Sequence, residues 1–228
     1  MTAIRTARER AREELTREIK QEARRQLASV GAQQLSLRAV SRELGMASSA
    51  LYRYFPSRDE LLTALIIDAY TELGDAADAA LSGLGPDSSA REGWRALWQA
   101  ARTWSLANPH EYGLVFGTPV PGYAAPRTTV EPAARFPIAL LGVVSRATPA
   151  PAPSGPPLRG ALPDQLTTVA TQFAPNLPPQ TLAPTVAAWI QLIGFLGFEL
   201  HGHLVGSLEP ADDFFAWTIE QTADTIGL

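Results

Sequence analysis

The sequence predicts an all-α protein, with an N-terminal three-helix unit containing a helix-turn-helix and a larger C-terminal helical body. Three observations predict it. Apolar residues recur at steps of three and four through most segments, the period of one helix face. No stretch alternates with period two, the pattern a half-buried strand would show. Two short helical segments within residues 36–55 are separated by a tight turn at Gly45, the spacing of a helix-turn-helix.

The 228 residues suffice for both units. Hydrophobic residues at 46% and charged residues at 18% exclude a disordered chain. Cysteine is absent, which excludes disulfides, thiolate nucleophiles and zinc fingers. Three histidines without ligand spacing predict no metal site. The net charge of −4 is unevenly placed. Residues 1–60 carry 12 Arg and Lys against 8 Asp and Glu, whereas residues 61–228 carry 7 against 15. Salt screens exposed charges beyond about 8–10 Å, so local charge decides whether a phosphate backbone is attracted. A basic head on an acidic body suits a chain that meets a polyanion with one end. The opening MTAIRTARERAREEL lacks a signal-peptide core. No uncharged apolar run is read as reaching the roughly 18–20 residues of a membrane span. A cytoplasmic place without membrane contact is therefore expected.

In order along the chain, residues of about 5–30 place Leu15, Ile19, Ala23, Leu27 and Val30 on one helical face, with Gly31 as the stop. Ser36 is placed to cap a helix carrying Leu37, Val40 and Leu44, which Gly45 ends. SSALYRYF reads as a short helix ended by Pro56. Ser57 and Glu60 form a capping-box pair for a helix running to about Leu81. GLGPDSSA is a loop. A helix over about 89–108 holds Trp94, Leu97, Trp98, Ala101, Trp104 and Ser105, and Asn108-Pro109 stops it. HEYGLVFG is a short helix, and helices follow over about 131–147 and 160–174. Between those two, a Pro-rich segment around 149–157 reads as a flexible connection. The last two helices span about 180–207 and 210–226. Val186, Trp189, Ile190, Ile193, Leu196, Leu200 and Leu204 stripe the first, and Phe214, Phe215, Thr218, Ile219, Thr222 and Ile226 the second.

The second helix of a helix-turn-helix lies in the major groove and shows its exposed side chains to base edges. Leu51 and Phe55, four apart, can hold it on a core, leaving Ser48, Ser49, Tyr52 and Arg53 outward. Hydroxyls reach phosphates or bases, and Arg pairs bidentately with guanine. The run SLRAVSRELGMASSALYRYFPSRDELLTAL resembles the TetR family of bacterial repressors, most specifically in LYRYFPSRDELL. The resemblance implies a domain division at residues 1–56 and 57–228 and double-stranded operator DNA as partner. It places Tyr52 and Tyr54 at phosphate-contacting positions and Ser57 and Arg58 at the backbone-facing start of the fourth helix. Ser48, Ser49 and Arg53 fall at groove positions, as does Arg38 on the preceding helix. The sequence departs from the family in having Ala47 at the usual Ser or Thr cap, and Ser48 is an alternative cap. Arg5, Arg8, Arg10 and Arg12 read either as a minor-groove arm or as a solvated face interleaved with Glu9, Glu13 and Glu14.

WRALWQAARTWSLANPHEYGLVFGTPVPGY resembles the C-terminal domain of one family branch, often called the WHG domain. The resemblance implies a repressor released by a small, mostly apolar molecule bound in the body. Candidate ligand residues are Trp94, Trp98, Trp104 and Trp189, together with His110, Tyr112, Phe116 and Tyr123. Each aromatic reads alternatively as core. The resemblance also implies a homodimer through the last two helices, with Ile193, Gly197, Leu200, Leu204, Phe214 and Thr218 at the interface. No GxSxG, P-loop or HExxH occurs, and GLGPDS follows a helix rather than a strand, so neither an enzyme nor a cofactor is expected. Two alternatives remain open: a helical ligand-binding protein whose head no longer reads DNA, and an activator of the same fold.

Overall fold

The computed structural model describes residues 6–147, 153 and 155–228. The described residues contain ten α-helices and no strand. By contacts the chain forms two compact units. The head unit comprises the chain up to Ala69 together with Pro109–Val130, and the body unit comprises Tyr70–Asn108 with Glu131–Leu228. The head thus takes in more chain than the 1–56 segment of the motif.

In the head, α1 (Ala7–Val30) starts at a capping box. The Glu9 N–H donates to Thr6 Oγ1 at 3.2 Å, and the Thr6 N–H donates to Glu9 Oε2 at 2.7 Å. It stops at Gly31, whose φ of 77° favours glycine. Ile19, Ala23 and Leu27 of the predicted face are buried, whereas Val30, in the last turn, is exposed. A 3-10 turn (Ala32–Gln34) leads to α2 (Leu37–Glu43), capped by Ser36 as expected. The turn at Gly45 (φ 64°) precedes α3, which spans only Ser48–Leu51. SSALYRYF was expected to be helical throughout, but beyond Leu51 it continues only as a turn, closed by Tyr54 N–H to Leu51 O at 2.8 Å. Ser57 Oγ accepts from the Glu60 N–H at 3.1 Å and so starts α4 (Arg58–Ser82). α6 (Pro109–Phe116) and the loop after it complete the head. One core joins Ile19, Ala23, Leu27, Leu37, Val40, Leu51, Phe55, Leu61, Leu62 and Leu65 with Val120 from that loop.

In the body, α5 (Ala90–Ala107) opens on a second capping box, Ser89 with Glu92, and buries Trp94, Leu97, Trp98, Ala101 and Trp104. α7 (Val130–Ser145) carries Pro137 within it, and α8 (Leu162–Phe173) begins with Pro163 in its first turn. α9 (Pro179–Leu200) packs against α5, α8 and α10 (Asp212–Ile226). Four body arginines tie these helices together. Arg91 reaches Glu220 (2.9 Å) and the Leu228 carbonyl oxygen, and Arg95 also pairs with Glu220 (2.7 Å). Arg102 forks onto Glu199 (2.6 Å), bonds Asp212 (3.0 Å) and lies 4.9 Å over the Phe215 ring. Arg135 joins α7 to Asp75 (2.8 Å) and Asp78 (2.6 Å) of α4. A Cβ at Gly74 would stand 2.8 Å from that guanidinium, so the bare glycine makes room for it.

Two expectations change. The helix expected over 180–207 ends at Leu200, because Gly202 takes φ 73° and the His203 N–H returns to Phe198 O at 2.9 Å, a Schellman closure. α9 is long and apolar enough to cross a membrane by length and composition, against the reading that no such run exists. It nevertheless buries Leu182, Thr185, Ala188, Leu192, Phe195 and Leu196 inside the body. Of the Pro-rich segment, 149–152 and 154 lie outside the described residues.

Hydrogen bonds from Arg95 and then Arg91 hold the Glu220 carboxyl below its ordinary value of 4.5. A carboxyl depressed by folding stabilises the fold above that value and ceases to do so as pH falls through the lower, folded one. Glu220→Gln is therefore expected to be less stable than the parent at pH 7, by less than about 1 kcal/mol because the pair is solvent-screened. The gap should close below pH 4.5. Urea unfolding at pH 7 and pH 3.5 checks this; a constant gap would remove the carboxylate's charge as its cause.

Candidate nucleic-acid interface

The eight residues expected to face DNA divide into two groups. Arg38, Ser49, Tyr52 and Arg53 are exposed. Arg38 and Arg53 have no ion-pair partner among the described residues, so both guanidinium groups are free to meet an anion. These four side chains sit on α2 and on the α3 turn, which Leu51 (0% exposed) and Phe55 (7%) pin to the core.

Ser48, Tyr54, Ser57 and Arg58 are engaged within the head. Ser41 Oγ donates to the Arg38 carbonyl at 2.9 Å, so in the 3.0 Å contact between the two hydroxyls Ser48 is the donor. Ala47 is the N-cap, without a side-chain bond, and Ser48 is the first helical residue. The alternative of Ser48 as cap is therefore corrected: its hydroxyl ties α3 to α2 instead. Tyr54 is half-buried against the core, with the Arg12 guanidinium 5.7 Å from its ring centre. Ser57 caps α4. Arg58 aims its guanidinium inward: Nη2 donates to the carbonyls of Ala32 (2.8 Å) and Gln33 (3.0 Å), and Nε donates to that of Leu35 (3.1 Å). It straps the start of α4 to the turn before α2.

Sequence reasoning missed Gln26, which is buried and whose Oε1 accepts from the Ser36 N–H at 3.3 Å, locking α1 to the start of α2. It also missed the 2.9 Å bond between the Thr63 and Tyr123 hydroxyls, which fastens the loop after α6 to α4. Arg8, Arg10 and Arg12 lie on α1, where Glu9 belongs to the capping box.

The candidate ligand residues fall in both units. Trp94 and Trp98 are core: Trp94 is fully buried with its indole N–H on Thr222 Oγ1 (3.1 Å), and Trp98 packs on Trp94 and Phe215. Trp98 and Trp104 bury indole N–H groups that find no acceptor among the described residues. His110 is exposed, Tyr112 is buried against Phe116, and these belong with Tyr123 to the head unit. Only Trp189 borders the body's apolar cavity of about 240 Å³. Helical spacing marks an aromatic as buried, and a core has the same spacing as a pocket wall. The cavity lies among Leu140 and Leu141 of α7, Val169 and Phe173 of α8, and Thr185 and Trp189 of α9.

Of the expected interface residues, Ile193, Gly197, Leu200 and Phe214 are partly exposed on α9 and α10. Thr218 is corrected: it is 1% exposed and donates to the Phe214 carbonyl at 2.7 Å. Leu204 is half-buried in the turns beyond α9. The large apolar groups exposed on α9 and α10 are Ile190 (65%), Phe198 (57%) and Trp217 (60%).

Residues 19–65 match the family described as bacterial regulatory proteins, tetR family, and residues 94–222 match the tetracyclin repressor-like C-terminal domain. The chain is 48% identical over 120 residues to an HTH-type transcriptional regulator of Mycobacterium tuberculosis, a match covering 51% of this chain and 49% of that one. It thus spans about half the length of the curated relatives it matches. The crystal structure of the regulatory protein SCO4313 superposes with a TM-score of 0.81 at 34% identity, over 96% of this chain and 100% of that one. A protein with unknown function from Rhodococcus sp. RHA1 shares the fold, with a TM-score of 0.68 at 22% identity over 94% and 96% of the two chains.

Arg58→Lys keeps the charge but replaces a fork by one ammonium, which cannot span three carbonyls. Loss of charged hydrogen bonds worth about 1.5–3 kcal/mol should raise amide exchange at Gln34 and Leu35 by at least about tenfold. The helical circular dichroism should be unchanged. Exchange at the parent rate would show that the strap does not hold the turn.

Proposed function

The chain belongs to the TetR family of bacterial regulatory proteins, and from that premise we propose that it is a cytoplasmic transcriptional repressor. In this reading it binds a palindromic operator as a homodimer and is released by a small molecule held in the body unit. The observation that carries the reading is the exposed set Arg38, Ser49, Tyr52 and Arg53 on a helix-turn-helix pinned to its own core. Arg53 supplies the fork that reads guanine, and Arg38 a second cation for the groove. Tyr52 and Ser49 supply hydroxyls for phosphate or base edges. Ser48, Tyr54, Ser57 and Arg58 act by fixing where α3 stands.

From the exposure of Ile190 and Phe198 on α9 and of Trp217 on α10 we infer one apolar face. A second copy covering it gives two reading heads related by a two-fold axis, hence a palindrome with half-sites about 34–36 Å apart. Such cover also accounts for the apolar character of α9. Ligand release is linkage: a molecule that binds better to the DNA-incompetent arrangement shifts the population toward it.

The test is a gel shift with the intergenic DNA upstream of the protein's own gene, in excess nonspecific competitor. Retention on a short palindrome, with affinity falling steeply as salt rises, supports the reading. Binding that competitor abolishes refutes it. Arg53→Ala is expected to relax preference at one base pair per half-site, at about 1–3 kcal/mol. Selection on randomised operators checks this, and an unchanged preference takes Arg53 out of the reading set. The double variant Phe198→Asp, Trp217→Asp is expected to run as a monomer by light scattering with its helix content kept. A persistent dimer places the interface elsewhere.

A further inference from the structure

The body cavity has walls of a single chemical kind. None of its lining residues is Asp, Glu, Lys, Arg or His. Its one hydroxyl, Thr185 Oγ1, donates to the Thr181 carbonyl at 2.8 Å and is already satisfied. Pro137 of α7 adds an apolar ring to the wall. A charged or strongly hydrogen-bonding guest would lose its water here and receive no partner in exchange. A hydrocarbon surface loses nothing by entering.

Size narrows the class. Protein interiors hold few voids larger than a water molecule. An apolar cavity of about 150 Å³ stays dry and binds benzene. The cavity here is about 240 Å³, with room for one further ring. It reaches the surface beside Ile138, which is 42% exposed, so a guest has a way in. Trp189 packs on Phe136 with ring centres 5.2 Å apart, which supplies a flat aromatic wall.

We propose that this cavity binds an uncharged, hydrocarbon-like molecule about the size of a fused two-ring arene, and discriminates against the same skeleton carrying a carboxylate. The proposal rests on the reading of the body as a ligand sensor and names the chemical class sensed. It also moves the site away from the tryptophans of α5, whose rings are core, to the space among α7, α8 and α9.

The experiment titrates the full chain, without DNA, with naphthalene and with 2-naphthoate, by calorimetry and by methyl-labelled NMR. Saturable binding of naphthalene at one site per chain is expected, with 2-naphthoate at least thirtyfold weaker. The methyl signals of Ile138, Leu141, Val169 and Val186 should shift first. Val169→Phe, which fills the space, should abolish binding; the methyl map of the parent protein decides the matter if that variant fails to fold. Non-saturating naphthalene, equal affinity for 2-naphthoate, or shifts confined to other methyls would each overturn the proposal. Operator affinity measured alongside separates the two readings. Naphthalene that shifts these methyls yet leaves DNA binding unchanged upholds the site and refutes the sensor.

Discussion

A helix of four residues cannot hold itself. α3 closes hardly more than one turn, and nucleating a helix fixes several dihedrals for each early hydrogen bond, an unfavourable exchange in isolation. Its N-cap, Ala47, contributes no side-chain bond. The position of α3 therefore depends on what it rests upon. Leu51 and Phe55 sink into the core formed by α1 and the start of α4. Polar ties supply orientation: Ser48 to Ser41, Gln26 to the Ser36 N–H, and Arg58 to three carbonyls before α2. Each is short, and together they do the work of the cap that the sequence omits.

Arginine plays two distinct parts. In the body, Arg91, Arg95, Arg102 and Arg135 face carboxylates of α4, α9 and α10 and bind helix to helix. Their planar forks suit this work, because two parallel bonds to a carboxylate fix orientation as well as distance. In the head, Arg38 and Arg53 stand exposed and unpaired among the described residues.

Much of the fold was legible from local signals. The spacing of Ile19, Ala23 and Leu27, the stop at Gly31, the caps at Ser36 and Ser57 and the break at Asn108-Pro109 each act within one or two turns of chain. What was not legible depends on partners distant in sequence. An arginine left exposed and one held by carbonyl oxygens are spelled alike, so the bonds of Arg58 became visible only with the turn at Ala32–Gln34 in place. Thr218 looked available for an interface until its hydroxyl was found turned back along its own helix. Leu204 continued an apolar stripe, yet Gly202 outweighed it, since a left-handed residue ends a helix whatever follows. The α5 tryptophans have the spacing shared by cores and pocket walls, and only the packing of Trp94 on Thr222 and of Trp98 on Phe215 separated the two.

The head's core is finished by chain that arrives late. Leu114, Val120 and Tyr123 join it after the polypeptide has left at Ala69 and run through α5. A ribosome that has delivered the first seventy or so residues has delivered a reading surface whose hydrophobic support is still incomplete, and vectorial synthesis cannot finish this end first. The same order constrains chimeras. A head grafted from a relative at a single junction would keep its recognition helix and lose part of the floor beneath it. A working exchange needs residues 109–130 to travel with it.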